Sequence, residues 1–394
     1  MRRAALALLA ATGALWATAS AAMNGETPSV SLRVSDASIP FGAEVLARGR
    51  VTVTEEGRAV VLEQRAGDAW VRVAAVRTAA SGTFAARFEP RRGGLLRARL
   101  LETGATSPAV ELAVRPLVRI SVGDGKAFLG APALVRVHPR SYDGRVTLAV
   151  YMRGRPAGVA AARVEAGRAK IRVPTPGVGR FRVRLRLAAT DEFEPVRARG
   201  SVRAVAPSIG YGASGPEVRA LVRRLEELRY HVPPEKDEFG PEVLDAVLAF
   251  QKAEGLPRDG AVGEEVWAAL GRARPPKPRH ERPALHIEVD KTRQILMVVR
   301  DGEVRSVLSV STGATGNTPE GAFRILWKSP ATTTWLGPAI LYRTLTFLGD
   351  EFAIHGYPSV PAYPASHGCV RVPMWAADWL YRQSPVGERI YVYH

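Results

Sequence analysis

From residue 28 to about 115, apolar and polar residues alternate in short runs. They are Val30 to Val34, Leu46 to Val53, Ala59 to Gln64, Trp70 to Val76, Thr83 to Phe88, Leu95 to Leu101 and Val110 to Val114. A period of two puts successive side chains on opposite faces, so each run predicts a strand with one face toward a core. Glu56-Gly57, Gly67-Asp68, Ser81-Gly82 and Gly93-Gly94 supply turn chemistry between them. About seven short strands at this spacing predict an immunoglobulin-like β-sandwich over 28–115. A second such unit is predicted over 117–206, with strands at Ala133 to Val137, Val146 to Met152, Ala169 to Val173 and Phe181 to Leu187. Neither unit gathers His, Asp or Glu in a way that suits catalysis. Both are expected to be spacers.

The period changes at about 207. Val218, Leu221, Val222, Leu225 and Leu228 recur at helical spacing behind Ser214-Gly215-Pro216-Glu217, with Ser214 the expected N-cap. A second helix follows Phe239-Gly240-Pro241, and a third carries Val266, Trp267 and Leu270. Residues 209–271 therefore predict a compact three-helix module. The basic, Pro-rich stretch 272–284 predicts a linker. From Leu285 the strand pattern returns: Leu285 to Val289, Gln294 to Val299, Val304 to Val310 and Ala322 to Trp327. Asp301-Gly302 is a hairpin signal. The region 285–394 predicts a mostly β domain with one short helix near 373–383.

The N-terminus adds an address. Met1-Arg2-Arg3, the apolar run Ala4 to Trp16 and the small-x-small site Ala19-Ser20-Ala21 predict a cleavable secretory signal over 1–22. An uncleaved anchor is the alternative. The run is short of the roughly 20 residues a membrane span needs, and no later segment is apolar enough, so no span is expected after cleavage. The chain carries a net charge of +17 over 394 residues, mostly through arginine. No nucleic-acid-binding module is legible, and an exported chain meets a polyanionic envelope rather than nucleic acid. The positive charge reads as diffuse.

There is one cysteine, so no intrachain disulfide can form. A lone thiol in an oxidising compartment is either a small core residue or a working group. Its neighbourhood favours work. Ile354-His355-Gly356-Tyr357 is followed by Ser366-His367-Gly368-Cys369-Val370-Arg371. A nucleophilic thiol needs a base to take its proton, and imidazole is suited to that. Gly368 lets a carbonyl approach the backbone, where N–H groups can hold an oxyanion. Three zinc ligands, His355, His367 and Cys369, are a competing reading without a fourth ligand. Sortase-type enzymes space His and Cys farther apart, and papain-like wall peptidases reverse their order.

The segment resembles the catalytic signature of L,D-transpeptidases of the YkuD type, a His-Gly followed by Ser/Thr-His-Gly-Cys. The resemblance covers about 285–394. It implies Cys369 as nucleophile, His355 as base, and the Gly356 carbonyl as the group that orients the imidazole. It also implies His367 and Gly368 shaping an oxyanion pocket, and Ser366 as a positioning hydroxyl. Arg371, where many members have Asn, and Tyr342 are expected at the substrate. The His355–Ser366 loop is shorter than in many members. The phrases GASGPEVRALVRRLEELRY and FGPEVLDAVLAFQKAEGLPRDGAVGEEVWAAL resemble the peptidoglycan-binding domain of wall enzymes. Together these imply a cofactor-free, exported enzyme of the periplasm or cell wall. Its partners would be peptidoglycan stem peptides and glycan, with carbapenems as inhibitors. The expected reaction is a 3→3 crosslink through a thioester. Alternatives are L,D-carboxypeptidase activity, attachment of a protein to peptidoglycan, and a non-catalytic wall-binding protein.

Overall fold

The computed structural model describes residues 28–52, 56–334 and 337–394. The expected signal segment and Val53 lie outside them. The described residues form two compact units that divide between Val114 and Arg115.

In the first unit, a three-stranded sheet runs in the order Val30–Val34, Val45–Val51, Thr83–Phe88. A five-stranded sheet runs Ser38–Pro40, Val110–Arg115, Gly94–Leu100, Ala59–Ala66, Ala69–Arg77. The alternation read from sequence is visible in burial: Val45, Ala47 and Val51 are enclosed while Arg48 and Arg50 face out.

The second unit begins with another pair of sheets. One has the order Gly125–Lys126, Val196–Val205, Gly179–Leu187, Arg145–Met152, Arg155–Arg163. The other runs Arg168–Val173, Ala131–His138, Leu117–Val122. Three of the long strands were not legible in the sequence. Arg155–Arg163 reads RPAGVAAAR, whose small residues carry little β-propensity, and it forms a strand because it pairs along Arg145–Met152.

Three helices follow: α1 Pro216–Glu227, α2 Pro241–Glu254 and α3 Glu264–Arg272. The expected cap is corrected by one residue. Gly215, at φ 110°, is the N-cap of α1, no side chain caps it, and Pro216 takes the first turn. Ser214 is instead held in a backbone bridge to Glu238. The positive φ at Gly215 turns the chain out of that bridge into the helix.

The catalytic-signature region forms two sheets. The first runs Glu303–Ser309, Ile295–Arg300, Leu285–Asp290, Arg389–Tyr393, Gly321–Arg324. The second runs Trp327–Thr334, Gly337–Leu348, Phe352–Tyr357, Val370–Pro373. Helix α4, Met374–Gln383, packs Ala376, Ala377 and Leu380 into the core between them.

Strand Ile295–Arg300 explains why the helical module is not held apart by a linker. Leu296 and Val298 enter the core shared by the two sheets. Ile295, Met297 and Val299 enter a different core, made with Val222, Phe250 and Trp267 of the helices. A strand buried on both faces reads as an unbroken apolar run, here ILMVV. The seam is also polar. Across it the Val307 amide donates to the Arg229 carbonyl at 2.8 Å, and the His231 amide donates to the Val307 carbonyl at 2.9 Å. Lys252, 1% exposed, donates to Ser309 Oγ and the Val310 carbonyl at 2.8 Å each. Trp375 Nε1 donates to Asp245 Oδ2 at 2.8 Å. The Pro-rich stretch is irregular and strapped down. The Arg279 and His280 amides donate to buried Glu288 at 2.9 and 2.7 Å, and the His280 ring stacks 3.9 Å from Tyr391.

Candidate active site

Phe352–Tyr357 and Val370–Pro373 pair in parallel, with His355 opposite Arg371 and Ile354 opposite Val370. Cys369 immediately precedes the second strand. The sequence separates His355 from Cys369 by a loop, and the parallel pairing sets the two segments that carry them side by side. Both line one cleft of about 390 Å³, with Ser366, His367 and Arg371.

His355 is 3% exposed. Its Nδ1 stands 3.0 Å from the Gly356 carbonyl. A carbonyl only accepts, so Nδ1 carries the proton and Nε2 is left as the basic nitrogen. Burial pushes the imidazole down to about 4. The Arg371 charge acts in the same direction, and the Gly356 carbonyl opposes both. Gly356 has no room for a side chain: a Cβ there would stand 2.8 Å from Ala377 Cβ and 3.1 Å from Tyr342 Cδ1.

The Cys369 thiol donates to the Glu351 carbonyl at 3.4 Å. Burial raises its pKa above the ordinary value, against the lowering effects of the Ala353 amide and Arg371. At neutral pH the resting pair is thus a neutral thiol and a neutral imidazole, between which a proton moves only when attack begins.

The loop before Cys369 is clamped at every residue. Ser366 Oγ accepts from the Gly368 amide at 3.1 Å and donates to the Cys369 carbonyl at 2.5 Å. Gly368 sits at φ 139°, and a Cβ would meet the Phe352 ring at 2.7 Å. Its amide is therefore engaged, and what Gly368 contributes is conformation and space. Asn317 Nδ2 donates to the His367 carbonyl and Thr318 Oγ1 to the Gly368 carbonyl, each at 2.7 Å. Lys291, buried, anchors their turn through the Gly316 and Thr318 carbonyls at 2.9 Å. Sequence reading missed Asn317, Thr318 and Lys291. Thr318-Pro319-Glu320-Gly321 has the residue types of a tight turn, and nothing in that stretch announces a partner 50 residues away.

His367 is exposed at the cleft. Arg371 places its guanidinium 4.2 Å over the Tyr357 ring, and among the described residues no carboxylate pairs with it. Tyr342 is a correction. Its hydroxyl donates to Asp378 of α4 at 2.9 Å, and its ring packs behind Gly356 rather than lining the cleft. Alternation along Gly337–Leu348 gives the cleft to its neighbour Leu341 instead.

A β domain whose cleft gathers a thiol, an imidazole and a guanidinium that pairs with no carboxylate among the described residues, seated on a three-helix module, has the parts of an acyltransferase. Residues 284–392 match the YkuD L,D-transpeptidase catalytic domain, and residues 214–270 match a putative peptidoglycan binding domain. An uncharacterised protein of Kitasatospora aureofaciens is 36% identical over 84 residues, 21% of this chain and 71% of that protein. The crystal structure of an L,D-transpeptidase from Xylanimonas cellulosilytica is 38% identical, with a TM-score of 0.44, over 48% of this chain and 99% of the other. One from Stackebrandtia nassauensis is 23% identical, with a TM-score of 0.32, over 48% of this chain and 95% of that one. The chain thus carries an L,D-transpeptidase catalytic domain of the YkuD type and a peptidoglycan-binding domain. Among its described residues no helix is long and apolar enough to cross a membrane.

Proposed function

We propose that this is an exported wall enzyme that joins peptidoglycan stem peptides through a thioester on Cys369. The observation that carries the reading is the parallel pairing of Phe352–Tyr357 with Val370–Pro373. His355, its Nδ1 held by Gly356, and Cys369 line the same cleft, which supports the roles of base and nucleophile given to them.

In the first step the Cys369 sulfur bonds to the carbonyl carbon of the L-configured third residue of a donor stem, and the thiol proton passes to His355 Nε2. The oxyanion is held by the Cys369 amide at the mouth shaped by His367, with the backbone cleared at Gly368. The C–N bond to the terminal D-Ala then breaks, and His355 returns the proton to the leaving amine. In the second step a side-chain amine on the third residue of a neighbouring stem attacks the thioester and loses a proton to His355. The sulfur leaves and is reprotonated. The product is a 3→3 crosslink. Ser366 positions the Cys369 backbone, and Arg371, which pairs with no carboxylate among the described residues, binds a substrate carboxylate. The helical module holds the enzyme on its polymer and raises local substrate concentration. The two sheet pairs of 28–206, with their alternating burial, serve as immunoglobulin-like spacers. A carbapenem, with its strained acyl bond and carboxylate, acylates the same sulfur.

Mass spectrometry of purified tetrapeptide stems after incubation with the protein tests the reading. The expected product is a dimer that has lost one D-Ala. Tripeptide alone would make the enzyme an L,D-carboxypeptidase. Unchanged stems with folded protein would overturn the enzymatic reading in favour of a wall-binding protein.

A further inference from the structure

The positive charge is not diffuse. Between residues 117 and 206, sixteen arginines and two lysines stand against three aspartates and three glutamates, a net of +12 out of the chain's +17. The fold concentrates it further. Strand Gly179–Leu187 buries Phe181, Val183, Leu185 and Leu187 and exposes Arg180, Arg182, Arg184 and Arg186. Its neighbour Val196–Val205 exposes Arg197, Arg199 and Arg203. In the antiparallel register Arg180 faces Arg203, Arg184 faces Arg199 and Arg186 faces Arg197. Seven guanidinium groups thus share the outer face of one sheet.

Directly opposed like charges destabilise a strand pair. A protein using arginine only for solubility would intersperse acids among them. Here neither strand carries a carboxylate, and among the described residues none of the seven forms an ion pair. Arg184 places its guanidinium carbon 4.7 Å from the centre of the Tyr151 ring. Alternate residues on a strand are about 6.7 Å apart, so the four arginines of Gly179–Leu187 span roughly 20 Å. A second row lies about 4.8 Å to the side. That is a track for an extended polyanion, not a pocket for a small anion.

We infer that this sheet face binds a linear phosphodiester polymer of the cell envelope. Phosphate is favoured over carboxylate because arginine's planar fork meets phosphate oxygens with two parallel hydrogen bonds, and the stripe contains arginine to the exclusion of lysine. The choice of an envelope polymer rests on the reading of the chain as an exported wall enzyme. The binding itself does not.

The test titrates the full chain with poly(glycerol phosphate) across salt concentrations. The logarithm of affinity should fall with the logarithm of salt with a slope of about −4 to −6, from several neutralised phosphates. Replacing Arg180, Arg182, Arg184 and Arg186 together by glutamine should reduce that slope by about 3 and weaken binding at least about tenfold. It should leave thioester formation at Cys369 unchanged and the melting temperature equal or higher, since like-charge repulsion is relieved. The same four changes to lysine should keep most of the slope but weaken binding several-fold. Affinity within about twofold of wild type in the glutamine variant would overturn the proposal. So would equal affinity for polyglutamate of the same length, or binding to phosphatidylglycerol vesicles without binding to the polymer.

Discussion

The depressed imidazole of His355 makes a sharp prediction about pH. Burial, reinforced by Arg371, holds its pKa to about 4 against an ordinary 6.5. At pH 5 a base with that pKa is about nine-tenths neutral, whereas an ordinary histidine is about 3% neutral. If His355 takes the thiol proton during attack, the rate at which a carbapenem acylates Cys369 should change less than about twofold between pH 7 and pH 5. An ordinary histidine base would lose about 25-fold over that interval, and a free thiolate acting without a base about 100-fold. Single-turnover intact-mass measurements at constant ionic strength separate the three. A fall of tenfold or more would refute the argument. His355→Ala should slow acylation at pH 7 by about 10²–10⁴-fold and acquire the tenfold-per-unit slope of a bare thiolate. The same shift bears on folding. A histidine whose folded pKa is lowered adds stability that is full above about 6.5 and is lost as pH falls toward 4. The amount is about 3 kcal/mol, and it should be missing from the His355→Ala urea curves.

Cys369→Ala should abolish adduct and turnover while the circular dichroism stays native; residual activity above about one part in a thousand would remove the nucleophile assigned here. Gly356→Ala forces a methyl to within 2.8 Å of Ala377, so it should cost about 1–3 kcal/mol by thermal unfolding and slow acylation as His355 shifts. Deleting 209–271 should not give a free-standing catalytic domain, because it uncovers Ile295, Met297, Val299 and Val307; a soluble deletion protein with normal acylation would contradict the shared core. Trp267→Ala, the milder version, should cost about 3–5 kcal/mol in chemical denaturation.

Local chemistry was legible in the sequence where it is carried by neighbours in the chain. Ser366 to Cys369 and His355-Gly356 declared a thiol site, and strict alternation placed Val30–Val34 and Thr83–Phe88 at the observed bounds. What escaped depends on long-range pairing. Asn317 and Thr318 have no signature of their own, because they matter only through carbonyls at 367 and 368. Tyr342 was assigned to the cleft on residue type alone, and strand alternation turned it to Asp378. The apolar run at 295–299 showed a buried strand but not that its second face belongs to the helices. The arginines were counted but not located, since only the register of Gly179–Leu187 against Val196–Val205 sets them on one side.

Under the proposed function, the core common to the helices and Ile295–Arg300 bears on how a wall is built. A tethered catalyst samples every site its tether allows. Here Lys252, Trp375 and the strand itself lock the grip and the cleft at one angle and one separation. Under the proposed function the molecule would work as a gauge: wherever the helices seized the polymer, the bond would be made at the same offset and bearing from that point. The spacing and orientation of its crosslinks would then be written by the protein's own dimensions rather than by the slack of a hinge.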